Sequence, residues 1–163
     1  GFPDIHFMYV KYPEMKYFIG PVSISSWFPK FYQSIIVHYV KTKHSDEEMS
    51  RLITPKTPFV PDFNKVDVNV LMEKNMDSVD KFDRYLMKLS NGDFRMPTLF
   101  KKYLKINAKF LCFNVDPDFN NTLDGLLFLR FEDYPKEELM MLIKDNTPEE
   151  KARYAARFGI SLD

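Results

Sequence analysis

Apolar residues recur along this chain with two distinct periods. Phe28, Phe31, Tyr32, Ile35, Ile36, Tyr39 and Val40 fall at i, i+3, i+4, i+7, i+8, i+11 and i+12. That is one face of an amphipathic helix, because 3.6 residues per turn bring those positions into a stripe. Ser25 or Ser26 is placed to cap it and Pro29 suits a first turn. Lys30, Gln33, Ser34 and Lys41 fall on the polar face. The same period returns over 76–92, with Val79, Phe82, Leu86 and Leu89 inward, Asp77 as cap and Gly92 as stop. It returns over 97–107, with Leu99, Phe100, Tyr103 and Leu104 facing a core. Two more helices are predicted near 135–144 and 148–158. The last carries Thr147 and Glu150 as a capping box, Pro148 at its first position and Gly159 as its stop. A short helix fits Asp46 to Leu52.

Strand-like runs separate these helices. YFIGPVSI (17–24) is apolar and β-branched but interrupted by Gly20-Pro21, which predicts a strand with a bulge or bend. KFLCFNV (109–115) is apolar on both faces, as a buried strand requires. TLDGLLFLRF (122–131) follows it and predicts a hairpin. VDVNVLM (66–72) suits a short strand or a helical turn equally. TPKTPFVPDF (54–63) has three prolines in ten residues and predicts an extended connector. The expected order is a strand over 17–24, a mainly helical stretch over 27–107, a strand hairpin over 109–131 and helices over 135–158. That is an α/β or α+β domain covering 1–163. A sheet of two or three strands is thin for so many helices. The chain also opens on Gly1 with no Met, so further strands are expected upstream of it.

The 163 residues suit one domain, since domains commonly run to roughly 100–150 residues. A 45% hydrophobic and 28% charged composition is that of a folded protein. Sixteen Phe, nine Tyr and nine Met imply bulky core filling or greasy surface. The formal charge is zero, a poor start for a nucleic-acid binder, whose affinity rests on phosphate neutralisation. No apolar run approaches the about 20 residues of a membrane span, and the first residues lack signal-peptide organisation. Cys112 is the single cysteine, so a reduced, cytoplasmic setting is expected.

The most chemically loaded stretch is NVDPDFNNTLDG (114–125), with Asp116, Asp118 and Asn120 alternating before Thr122 and Asp124. A calcium-binding EF-hand loop counted from Asp116 would need Gly at position 6 and Glu at position 12. The chain has Asn121 and Leu127 there, and strands instead of helices on both sides. Metal is therefore excluded. An Asx-rich turn and a catalytic edge remain open. His6, His38 and His44 show no metal-ligand spacing, and no nucleophile elbow, dinucleotide or P-loop signature is present. Lys101, Lys102 and Lys105 share the outer face of the 97–107 helix. They are read as a solvated face or as a contact for anionic phosphate, of a lipid headgroup or a nucleotide cofactor.

Two segments carry a resemblance. YFIGPVSISSWF (17–28) and FRMPTLFKKYLKINAKFLCFNVDPDFNNTLDGLLFL (94–129) resemble the C-terminal part of the hemolysin-like acyltransferases of the GNAT superfamily. That group includes N-acyltransferases that make the lyso forms of ornithine and glycine lipids. The two segments together make up somewhat under a third of the chain. It implies a mixed sheet in which 17–24, 109–115 and 122–131 are the fifth, sixth and seventh strands, with enlarged helices between them. It further implies transfer of a long acyl chain from acyl-CoA or an acyl carrier protein, as co-substrate, to an amine such as that of an amino acid. Gly20, Ser23 and Ser25 would then line the acyl-donor cleft. Asp116 and Asp124 would be catalytic, and Asp118 and Asn120 would bind substrate. Peripheral contact with the inner membrane and homo-oligomerisation fit the same reading. The family's (Q/R)xxGx(G/A) cofactor loop is missing around all five glycines, and so are its N-terminal strands. The chain is thus expected to be the C-terminal half of such a fold, and to need an upstream portion to bind acyl-CoA in the usual way. The rival reading is a non-catalytic module that dimerises or docks to a carrier protein or membrane.

Overall fold

The computed structural model describes residues 14–162. Among them are three strands, β1 (Tyr17–Ile24), β2 (Lys109–Asp116) and β3 (Thr122–Arg130). Seven α-helices accompany them: α1 (Lys30–Lys43), α2 (Glu47–Ser50), α3 (Val68–Met72), α4 (Val79–Leu89), α5 (Thr98–Lys105), α6 (Lys136–Ile143) and α7 (Pro148–Phe158). Single 3-10 turns occupy Pro117–Phe119 and Phe131–Asp133. The protein mixes α and β structure around a sheet of order β1-β3-β2. It divides into two compact units, 19–128 and a second that joins 14–18 to 129–162.

β2 and β3 form the expected antiparallel hairpin, with Asn114 opposite Asp124 and Val115 opposite Leu123. Phe110 pairs with Leu127 but Phe113 with Gly125, so Leu111 and Cys112 together oppose Leu126 in a β-bulge. The extra residue turns Phe110 and Phe113 to one face, where their rings stack at 5.7 Å. β1 runs unbroken through Gly20-Pro21, without the expected bend. Its place at the sheet edge explains this, because an edge strand can spare the N–H that proline lacks. Gly20, Val22 and Ile24 are buried, while Pro21 and Ser23 point the other way and are exposed.

The aromatic excess goes largely into the core of the 19–128 unit. Tyr39 stacks on Phe82 at 4.1 Å, and Phe100 stacks on Phe110 at 4.8 Å. Each such ring taken fully out of water contributes about 1.5–3 kcal/mol. In the other unit, Phe131, Tyr134 and Tyr154 gather around the fully buried Phe158. The predicted capping box on α7 is present with both hydrogen bonds, and Gly159 closes the helix at φ 67°.

Three local expectations shift. Residues 68–72 are helical, because Asp67 accepts the Asn69 N–H as a cap and Val70 finds no buried face. The α4 cap is Ser78, which accepts from the Lys81 N–H, while Asp77 pairs with the Lys81 ammonium at 2.8 Å. α1 begins after Pro29 with no side-chain cap. Ser25 instead builds the preceding turn, its hydroxyl accepting from the Trp27 N–H and its carbonyl from the Phe28 N–H.

Candidate functional site

The β2–β3 connection is built in two steps. Asp116 Oδ1 accepts the Asp118 N–H at 3.0 Å, which caps the 3-10 turn begun by Pro117. Asn120 and Asn121 then both take φ 55°, a left-handed conformation that asparagine tolerates better than most residues. The chain reverses there and enters β3 at Thr122, whose hydroxyl donates to the Phe119 carbonyl at 2.5 Å.

That turn brings several of the expected residues together. Ser23 at the end of β1 donates its hydroxyl to Asp124 Oδ1 at 2.6 Å, across 101 residues of sequence. Asn120 Nδ2 donates to Ser26 Oγ at 3.4 Å. Beside this contact lies a cavity of about 550 Å3. Phe28, Phe59, Val60 and Val115 give it apolar walls, and Gln33, Asn120 and Asn121 give it amides. A volume and lining of this kind suit a small organic ligand or part of a chain. Lys30 opens on the same space, its ammonium 6.0 Å from the centre of the Phe59 ring.

The remaining expected residues sit elsewhere or have local tasks. Gly20 is buried and faces away from Ser23 in β1, so the two do not share a wall. The Ser25 hydroxyl and carbonyl are engaged in the turn before α1, and its carbonyl also accepts from Gln33 Nε2. The Asp116 carboxylate is occupied by the turn, and Asp118 is exposed. Lys101 bridges Asp83 at 2.8 Å and Asp80 at 3.2 Å, and Lys105 reaches Asp80 at 2.9 Å. The acidic face of α4 thus neutralises much of the lysine row on α5, leaving Lys102 as its member outside these ion pairs.

Sequence reasoning gave Asn114 no role and read 54–63 only as an extended connector. Asn114 Oδ1 accepts the Thr57 N–H at 2.6 Å, and the Val115 N–H donates to the Thr57 carbonyl. Phe59 N–H in turn donates to the Phe113 carbonyl. These bonds fasten the connector along the outer edge of β2 and put Phe59 and Val60 into the cavity wall. The legible signal was Asn114, a polar residue set between the apolar Phe113 and Val115.

Among the described residues, no group of three His, Cys, Asp or Glu side chains could hold a metal ion, and no helix is long and apolar enough to cross a membrane. Comparison with known proteins finds no matching family model, no matching curated protein and no matching solved structure.

Proposed function

We propose that this chain is part of a lipid-biosynthetic N-acyltransferase of GNAT-like fold, moving a long acyl chain from a thioester to the amine of an acceptor such as an amino acid. The thioester is that of acyl-CoA or an acyl carrier protein. The reading rests on the resemblance of 17–28 and 94–129 to that group. The observation that carries it is the 2.6 Å contact between Ser23 and Asp124, at the end of the sheet where Asn120, Ser26 and an apolar-walled cavity also lie.

In this reading the neutral amine attacks the thioester carbonyl carbon and forms a C–N bond. The tetrahedral intermediate collapses with cleavage of the C–S bond, and the thiolate leaves. The ammonium proton passes to the Asp124 carboxylate, directly or through the Ser23 hydroxyl, and finally to the thiolate, so amide and thiol are the products. The Asn120 amide is a candidate donor to the intermediate's oxyanion. Asp116 holds the turn that presents Asn120, and Asp118 stands at its exposed edge.

The test is acyl transfer from acyl-CoA and from acyl carrier protein to a panel of amino acids, read by mass spectrometry of the N-acyl product. Asp124→Asn is expected to lower kcat about 100-fold or more, the usual worth of a positioned base, with an unchanged melting temperature. Asp116→Ala, which removes the acceptor that caps the turn, is expected to lower the melting temperature with little effect on kcat. Full turnover by Asp124→Asn would sink the assignment.

One observation favours the second reading, a module that docks to a carrier protein or membrane. Trp27 is 74% exposed although its ring packs 5.2 Å from that of Phe94, and Phe119 is 71% exposed on the turn. A blue shift of Trp27 emission on adding vesicles or carrier protein, without any transfer activity, would support that reading over the first.

A further inference from the structure

A second cavity, of about 470 Å3, opens at the outer edge of β2 where the bulge lies. Two chain segments cover that edge on either side of it. At one end the Phe110 N–H donates to the His44 carbonyl at 2.8 Å and Ser45 pairs with Phe110. At the other end lies the connector 57–59, bonded at Phe113 and Val115. Leu111 and Cys112 are left facing the gap between them, under α2 and the last turn of α1.

The polar lining of this gap is unspent. Lys41 and Arg51 make no ion pair, and the hydroxyls of Ser45 and Ser50 make no hydrogen bond, with any described residue. Glu47 is the single carboxylate in the lining, so the two cations outnumber it. Lys101 and Lys105 show the contrast, since there the fold supplies carboxylates for its lysines. Here two cations and two hydroxyls surround a floor of strand backbone, Leu111 and a half-buried thiol. The charge of Lys41 is felt on that floor. Burial pushes the Cys112 thiol above its ordinary value, and Lys41 pulls in the opposite direction.

We propose that this cavity binds a small molecule through an oxyanion, a phosphate or a carboxylate, held by Lys41 and Arg51 with Ser45 and Ser50 as hydroxyl donors. The body of the ligand rests over Leu111 and Cys112. Guanidinium and ammonium groups are the side chains suited to such anions, and a cavity of this volume admits a metabolite-sized molecule. This site is independent of Asp124 and of the reaction assigned to it.

Cys112 is the only cysteine of the chain and lines the cavity, so it reports on occupancy directly. The full chain is treated with iodoacetamide, and alkylation is followed by intact mass at constant ionic strength, with chloride, inorganic phosphate or acetate as the added anion. Saturable slowing by at least threefold is expected with phosphate if the ligand group is a phosphate, and with acetate if it is a carboxylate, with chloride inert. Lys41→Ala combined with Arg51→Ala should abolish the protection, while Lys43→Ala, which removes a neighbouring charge outside the lining, should keep it. Circular dichroism confirms that each variant is folded. Absence of protection by both anions, or equal protection in the double variant, overturns the proposal.

Discussion

Gly125 shows how one residue type can be dictated by two others. It sits in β3 opposite Phe113, and an added Cβ would lie 2.8 and 2.9 Å from Phe110 ring atoms and 3.0 Å from the Phe113 ring. The bulge at Leu111–Cys112 is what brings both rings over the same strand position. Gly125→Ala must therefore push apart two buried, stacked rings, and overpacking of that kind costs about 1–3 kcal/mol. Urea denaturation followed by circular dichroism should show the loss. An unchanged midpoint would mean that the rings move aside freely. The adjoining asparagines present the reverse case. Asn121 is left-handed, where glycine is more at ease, so Asn121→Gly should leave stability unchanged or slightly raised.

At the scale of elements, the best-tied region is the junction of α4 and α5. Asp83 is 2% exposed, and its two oxygens accept from the Met96 N–H at 2.7 Å and from Lys101 at 2.8 Å, with Arg95 at 3.3 Å. One buried carboxylate thus locks the chain between the two helices. Asp83→Ala leaves the Met96 N–H unsatisfied and should cost about 1–3 kcal/mol. Asp83→Asn retains an acceptor for that N–H and should cost less. Equal losses would place the whole effect in the charge. In α7, Thr147→Ala removes the cap oxygen that Glu150 N–H uses and should cost about 1 kcal/mol. The legibility of these elements differs for physical reasons. The α7 cap was readable because a capping box is local in sequence, and α1, α4 and α5 were readable from their apolar period. The helix at 68–72 was ambiguous because five residues hold too little of either period. The role of Asp83 was not readable, since its partners come from 12 to 18 residues away. The same holds for the candidate site. The acidic turn was visible in the sequence, but the Ser23–Asp124 contact joins residues 101 apart and exists only once β1 lies beside β3.

For the molecule as a whole, the charge balance makes acid the revealing perturbation. The formal net charge is zero near pH 7, so stability there carries little bulk repulsion and individual groups should show through. His44 is the foremost of them. Burial, with Lys109 and Lys43 adding to it, holds its pKa down to about 4, and its Nε2 lies 3.0 Å from Tyr39 Oη. An unfolded histidine takes its proton near pH 6.5, so between 6.5 and about 4 the unfolded chain binds more protons than the folded one. Stability therefore falls as pH drops through that window and stops falling on this account below about 4. The carboxylates act later. Burial alone would raise Asp83, but hydrogen bonds from Lys101, Met96 and Arg95 together with the Lys101 charge lower it, and Asp77 and Asp80 are lowered by hydrogen bonds from lysines. Their contribution is present above the ordinary carboxylate value and is lost only as pH falls below it, through the lowered folded values. Urea midpoints measured from pH 7 to pH 3 should thus decline in two stages. His44→Gln, which keeps a polar end near Tyr39 without a titrating ring, should flatten the first stage and leave the second. Burial also lowers His38, so some slope should persist in that variant. A first stage as steep as in the unsubstituted chain would show that His44 is not the group whose burial makes this protein acid-sensitive.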